Sequence, residues 1–247
     1  MSDSVEQPRN IDAVIFDWGG TLSRWALVEF GEIWRMAATH LSPYLGEAPE
    51  ALEQRLAQIE LDAWAQMDRD HLAFTLQDLL ARASAALRVD VADAIIEEAS
   101  GHYLDSWLPH IEHDVEAAAM FTALRERGIR TGLLSNTHWP ESFHEQMLER
   151  DGLLHLIDAR VYTSELSYTK PHPEAFRAAL EAVGIRDASS AVYVGDRLFD
   201  DIHGAQSAGM RAILRPNEHV PSYDVTPDAT IVRLSEIVPI IDAWNAG

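Results

Sequence analysis

The apolar positions first gather in one short unbroken run, Ile11 to Phe16, which stops abruptly at Asp17-Trp18-Gly19-Gly20. A run of strand length without alternation predicts a strand buried on both faces and ending in a turn. From about Ala26 to about Ile111 the spacing changes, and apolar residues recur three and four apart, as at Leu52, Leu56, Ile59 and Trp64. That period predicts helices over Pro49 to Met67, Leu72 to Leu87 and Val91 to Leu108. No convincing strand interrupts them, so residues 26–111 read as a helical insert the size of a small bundle. Trp34, Trp64 and Trp107 fall at helical positions and are expected in its core.

Beyond about His113 helix and strand alternate to the end. The expected pairs are Val115 to Arg127 with Thr131 to Leu134, Glu141 to Arg150 with Ala159 to Tyr162, Pro173 to Val183 with Ala191 to Val194, and Asp201 to Ala208 with Arg211 to Leu214. Thr230 to Val232 then leads into a last helix. Such alternation implies βαβ units and a parallel sheet covered on both faces. The expected fold is therefore α/β: a doubly wound, mainly parallel, Rossmann-like sheet. Its core is residues 1–25 and 112–247, and an α-helical cap, residues 26–111, is inserted after the first strand.

Composition narrows the function classes. Of the 247 residues 47% are hydrophobic and 24% charged, close to ordinary globular proportions, which argues against disordered and fibrous classes. A formal net charge of −21, with no basic patch in the sequence, disfavours nucleic acid and anionic membrane as partners. The chain has no cysteine, which excludes disulfides, thiolate metal sites and a cysteine nucleophile and fits a reducing compartment. Met1 to Asn10 is polar, and no stretch approaches the ~18 apolar residues that cross a bilayer. A soluble, cytoplasmic protein with a small-molecule partner is the expectation.

Ligands of open parallel sheets bind beyond the carboxyl ends of the strands. The residues there are Asp17 after the first strand, Ser135 and Asn136 after the second, Lys170 shortly after the third and Asp196 after the fourth. Two acids, a hydroxyl, an amide and an ammonium suit an anion held by a hard metal, and phosphate with Mg²⁺ is the obvious pair. Asp200 or Asp201 could add a further acid. Lys170 is the chain's single lysine beside 18 arginines, and a compact point charge suits crowded anions better than a planar fork.

Four stretches together, Phe16-Asp17-Trp18-Gly19-Gly20-Thr21-Leu22, Leu133-Leu134-Ser135-Asn136, Lys170-Pro171 and Val194-Gly195-Asp196 with Asp200-Asp201, resemble the ordered motifs of the haloacid dehalogenase superfamily. Ile202 to Met210 strengthens the likeness. The resemblance implies Asp17 as a carboxylate nucleophile forming a covalent aspartyl intermediate. It implies Ser135, the backbone amide of Asn136 and Lys170 around the phosphoryl group, and Asp17, the carbonyl of Gly19, Asp196 and Asp201 around Mg²⁺. Asp201 is preferred to Asp200 because it is in phase with the helix that follows. The implied function is a Mg²⁺-dependent phosphatase of a small phosphorylated metabolite.

One position departs from the family's pattern. Its phosphatases usually carry a second aspartate two residues after the nucleophile, and here that residue is Gly19. General acid–base help is worth roughly 10²–10⁴-fold, about 3–5 kcal/mol of barrier. Two alternatives therefore stay open: a 2-haloacid dehalogenase-like hydrolase, and a protein that binds its ligand without turnover. The phosphonoacetaldehyde hydrolases of the family resemble the first motif but need a cap lysine, and the insert has none. Candidates for the missing acid are His138, Glu29, Glu32 and His40, while Arg24 and Trp25 stand where they could help select substrate.

Overall fold

The computed structural model describes residues 10–247, so the first nine residues of the expected core segment lie outside it. Six strands, β1 (Ala13–Phe16), β2 (Arg130–Ser135), β3 (Ala159–Tyr162), β4 (Ala191–Gly195), β5 (Arg211–Leu214) and β6 (Ala229–Thr230), form one sheet in the order β3-β2-β1-β4-β5-β6. Every neighbouring pair is parallel. All four β1 residues are buried, as an unbroken apolar run at the centre of a two-sided sheet requires. The chain winds outward from β1 to β3 and then crosses to β4 on the other side, which makes the carboxyl ends of β1 and β4 the switch point where a crevice opens.

After β1 the chain first forms α1 (Phe30–Leu45), α2 (Pro49–Asp70), α3 (Leu76–Leu87) and α4 (Asp93–Trp107). The sheet is flanked by α5 (Ala117–Glu126), α6 (Glu141–Arg150), α7 (Pro173–Ala182), α8 (Gly204–Ser207) and α9 (Ile237–Ala246). Phe16, Phe121 and Ile241 belong to one apolar layer and Ile15, Phe176 and Tyr193 to the other, so each face of the sheet has its own core. No helix among the described residues is long and apolar enough to cross a membrane.

Two differences from the periodicity bear on the site. The helix expected from Leu72 begins at Leu76, because the Thr75 hydroxyl accepts the Asp78 N–H at 3.1 Å and the Asp78 carboxylate accepts the Thr75 N–H at 2.8 Å. Such a reciprocal cap satisfies two otherwise orphaned donors and sets the start. The residues before it are extended and tied to the loop that carries Lys170: the Ala73 N–H donates to the Ser167 carbonyl at 3.1 Å and the Thr169 N–H to that of His71 at 2.9 Å. The second difference lies at Asp201 to Ala208, where a π-helical turn, Leu198–His203, precedes α8. An extra residue in a helical turn redirects its side chains, and such turns recur at functional sites.

The inserted helices bury one carboxyl group among aromatic rings. Glu60 is fully buried and accepts hydrogen bonds from the indoles of Trp34 at 2.7 Å and Trp64 at 3.3 Å and from the Tyr103 hydroxyl at 2.9 Å. Burial pushes its pKa from 4.5 up to about 7, against the pull of those three donors. A carboxyl that holds its proton more tightly in the fold contributes most below its unfolded pKa and loses that contribution as pH rises through the folded value. Ionising Glu60 therefore costs the fold about 3 kcal/mol by pH 8. Glu60→Gln removes the titration, so the unfolding free energy of the variant should gain on wild type by about that amount between pH 4.5 and 8, measured by urea denaturation. Parallel pH profiles would refute the burial argument.

Candidate active site

The site assembles where apolar strands run out. Phe16, Leu134 and Val194 are core residues of β1, β2 and β4, and the first polar residues beyond them are delivered to one edge of the sheet. Asp17, Ser135 and Asn136 line a cavity of about 480 Å³ with Gly19 and Lys170. Asp196 and Asp201 are buried and meet Asp17 from below, one carboxylate oxygen of each lying within 4.8 Å of the others.

Lys170 holds this edge together. Its ammonium donates to Asp17 Oδ1 at 2.7 Å, to Asp201 Oδ1 at 2.6 Å and to the Tyr193 hydroxyl at 2.7 Å, which takes all three of its hydrogens. Burial alone would lower its pKa, but the carboxylates of Asp17 and Asp201 more than reverse that and hold it charged. The Asn136 amide clamps the backbone on either side: its Oδ1 accepts the Lys170 N–H at 2.8 Å and its Nδ2 donates to the Lys170 carbonyl at 3.0 Å. The Tyr193 hydroxyl passes its own hydrogen to the Leu134 carbonyl at 2.8 Å. Sequence reasoning missed Tyr193; the available signal was a hydroxyl inside an otherwise apolar buried strand, which needs a partner.

Asp201, on the π-helical turn, is saturated in the same way. Its Oδ2 accepts the backbone N–H groups of Asp196 at 3.0 Å and Arg197 at 2.9 Å. The close approach demands glycine at the end of β4, because a Cβ on Gly195 would stand 2.4 Å from the Asp201 side chain. Asp200 turns away into the cavity wall, with Oδ2 at 3.4 Å from Arg197 Nη1. Of the two acids weighed from the sequence, Asp201 is the one in the cluster.

Asp196 differs from its neighbours. Its Oδ2 accepts from Asn217 at 2.6 Å, a loop residue that no sequence signal marked, whereas its Oδ1 is buried without a partner. Burial, together with the charges on Asp17 and Asp201, pushes its pKa up to about 8. Burial likewise raises Asp17 to about 6 even though Lys170 pulls it down. Three carboxyls against one ammonium leave surplus negative charge at low dielectric, and an orphaned oxygen points at the deficit. This donor set of hard oxygens fits Mg²⁺.

The cavity above is walled largely by rings. Trp18, next to the nucleophile candidate, donates its indole N–H to His113 Nε2 at 2.9 Å, and His113 Nδ1 lies 2.6 Å from Asp151. That chain fixes the indole, whose ring lies edge-on to His144 at 4.8 Å and Trp139 at 5.8 Å. Arg24 and Trp25 line the cavity; Arg24 pairs with Glu112 at 3.1 Å and Trp25 lies under Arg197 at 5.6 Å. Among the four candidates for the missing acid, His138 lines the cavity, while Glu29, Glu32 and His40 are not part of its wall.

Comparison with known proteins finds relatives of this chain. Residues 11–209 match the haloacid dehalogenase-like hydrolase family. The chain is 28% identical to a glyceraldehyde 3-phosphate phosphatase of Methanopyrus kandleri over 169 residues, 66% of this chain and 70% of that one. It is 33% identical to a phosphoserine phosphatase of Thermus thermophilus over 127 residues, and this match spans about half of either protein, 49% and 48%. Among solved structures, a 2-haloacid dehalogenase from Pseudomonas syringae pv. Tomato superimposes with a TM-score of 0.69 and 27% identity, over 95% of this chain and 99% of the other.

The two glycines of the first turn should behave oppositely on substitution. Gly20 has φ +83° and a Cβ there would stand 2.2 Å from Asp196 Oδ2, whereas a Cβ on Gly19 would meet nothing within 4 Å. Gly20→Ala should destabilise the protein by about 2 kcal/mol or more and Gly19→Ala by less than about 0.5 kcal/mol, read from urea unfolding. Equal losses would contradict the crowding at Asp196.

Proposed function

The chain belongs to the haloacid dehalogenase-like hydrolases, and from that premise we propose that it is a Mg²⁺-dependent phosphatase of a small phosphorylated metabolite, with Asp17 as nucleophile. The observation that carries this reading is the buried acid cluster with the unpartnered Oδ1 of Asp196. Mg²⁺ would be held by Asp17, the Gly19 carbonyl and Asp196, with Asp201 completing the cluster from the side of Lys170. When bound, it supplies neutralising charge for the carboxylates and the phosphoryl oxygens.

The protein's own groups then have distinct tasks. Lys170 occupies Asp17 Oδ1, leaving Oδ2 to attack phosphorus while the bond from phosphorus to the leaving oxygen breaks. The leaving oxygen takes its proton from solvent. Ser135 and the Asn136 amide hold the phosphoryl oxygens, and the Asn136 side chain keeps Lys170 in place. Water next attacks phosphorus, the bond to Asp17 breaks, and phosphate leaves with the carboxylate restored. The segment 26–111 serves as a cap that limits water in the cavity. Two relatives named for small phosphate esters support the substrate class.

Gly19 favours a second reading, since 2-haloacid dehalogenases also lack the second aspartate; the acid cluster weighs against it. A panel of aryl and alkyl phosphates with one 2-haloacid, assayed with Mg²⁺ and with EDTA, separates the two. The expected result is phosphate release that needs Mg²⁺ and is lost in Asp17→Asn. Halide release unaffected by EDTA would replace phosphate chemistry, and binding without turnover of any compound would remove the enzyme reading. Gly19→Asp has room for its Cβ and should speed poor leaving groups by about tenfold or more while scarcely changing activated aryl esters, which need no proton. Slower hydrolysis of both would mean that another residue already does this work.

A further inference from the structure

The cavity over Asp17 is larger and more aromatic than a three-carbon phosphate needs. Beside the exposed Trp25, the tryptophans Trp18, Trp64, Trp107 and Trp139 all contribute to its wall. The indole N–H groups of Trp18 and Trp64 are spent on His113 and Glu60. Those of Trp107 and Trp139 are buried without a partner. Beside those two donors, what the four rings offer a ligand is carbon surface.

Two imidazoles interrupt that surface, and each keeps a buried nitrogen with no partner: Nδ1 of His138 and Nε2 of His144. His138 is 3% exposed, His144 is fully buried, and both line the cavity. Their protonation follows from their other contacts. His144 Nδ1 faces the Pro140 carbonyl at 3.5 Å, and since a carbonyl only accepts, that nitrogen carries the hydrogen and Nε2 a bare lone pair. His138 Nε2 lies 3.0 Å from the Tyr103 hydroxyl, whose own hydrogen goes to Glu60. With Glu60 ionised, above about pH 7, Nε2 must then be the donor and Nδ1 the acceptor. Burial pushes both imidazoles down to about 3, so neither becomes a cation that would take on the donor role. An unpaired buried acceptor is costly, and a ligand donor that reaches it recovers the loss.

We infer that this cavity selects a substrate whose non-phosphate part is an aromatic ring bearing a hydroxyl or N–H donor, seated among the four tryptophans with its donor on His138 or His144. The inference rests on the proposed phosphatase reading for the phosphate end alone; the ring end stands on the cavity. It is accordingly tested on a ligand without phosphate. At pH 8, tyrosol, its 4-methyl ether and glycerol are titrated into the protein and followed by tryptophan fluorescence and calorimetry, and hydrolysis of tyrosol phosphate and glycerol phosphate is measured separately. Tyrosol should bind about tenfold more tightly than its methyl ether, with no detectable binding of glycerol. Substituting each histidine in turn, His138→Phe and His144→Phe keep a ring in place, and the variant that loses the contact should bind the two aromatic probes equally. Equal binding of both probes to wild type, or no binding of either, overturns the inference even if glycerol phosphate is hydrolysed well. Binding with the donor preference but no hydrolysis of either ester would instead defeat the phosphatase reading and leave the inference standing.

Discussion

A single buried ammonium organises the carboxyl edge of the sheet. Lys170 is 2% exposed and lies between Asp17 and Asp201, with Tyr193 as its third acceptor. Removing one member of such a group strands a charge at low dielectric, a loss of several kcal/mol, so the positions of four elements are bound to one another. Asp17 ends β1, Tyr193 sits on β4, Asp201 rides on the π-helical turn, and Lys170 arrives on the loop that also anchors the inserted helices through Ala73 and Thr169. One charge thus couples the sheet's switch point to the cavity wall.

That arrangement separates two jobs that the proposed phosphate site must do. Lys170 and the backbone amides of Asp196 and Arg197 take up Asp201 completely, which makes it a fixed internal counter-charge. Asp196, by contrast, is held by Asn217 on one oxygen and left open on the other. The oxygen held by Asn217 sits beside Gly20, which approaches so closely that no side chain could stand there. Gly19, one residue earlier, faces empty space, so the absence of a second acid is a matter of chemistry and not of steric exclusion.

Much of the scaffold was legible because its signals are local. The unbroken run ending at Asp17, the alternation after His113 and the polar residue beyond each strand place β1 to β5 and the acid cluster where the structure has them. The start of α3 was misplaced because apolar spacing continues through Leu72 while the Thr75–Asp78 cap, a hydrogen-bond feature, ends the extended segment. Asp201 could be preferred to Asp200 from helical phase, but its saturation by Lys170 and two amides depends on a π-helical turn that no periodicity announces. Asn217 and His144 escaped for another reason: what each of them meets is decided in space, as is which nitrogen of an imidazole is left bare. The resemblance named the residues of the proposed chemistry, and the aromatic wall of the cavity required three dimensions.

Without an acid or base two residues beyond Asp17, hydrolysis of the phosphoryl group on Asp17 should be slower than its formation from an activated ester. The direct measurement is rapid acid quench of the Mg²⁺-loaded protein turning over an aryl phosphate, followed by peptide mass analysis. The account predicts a phosphoryl group on the peptide containing Asp17, approaching one per chain and absent from Asp17→Asn. Steady release of phosphate with no adduct at any quench time, or an adduct on another residue, would contradict it.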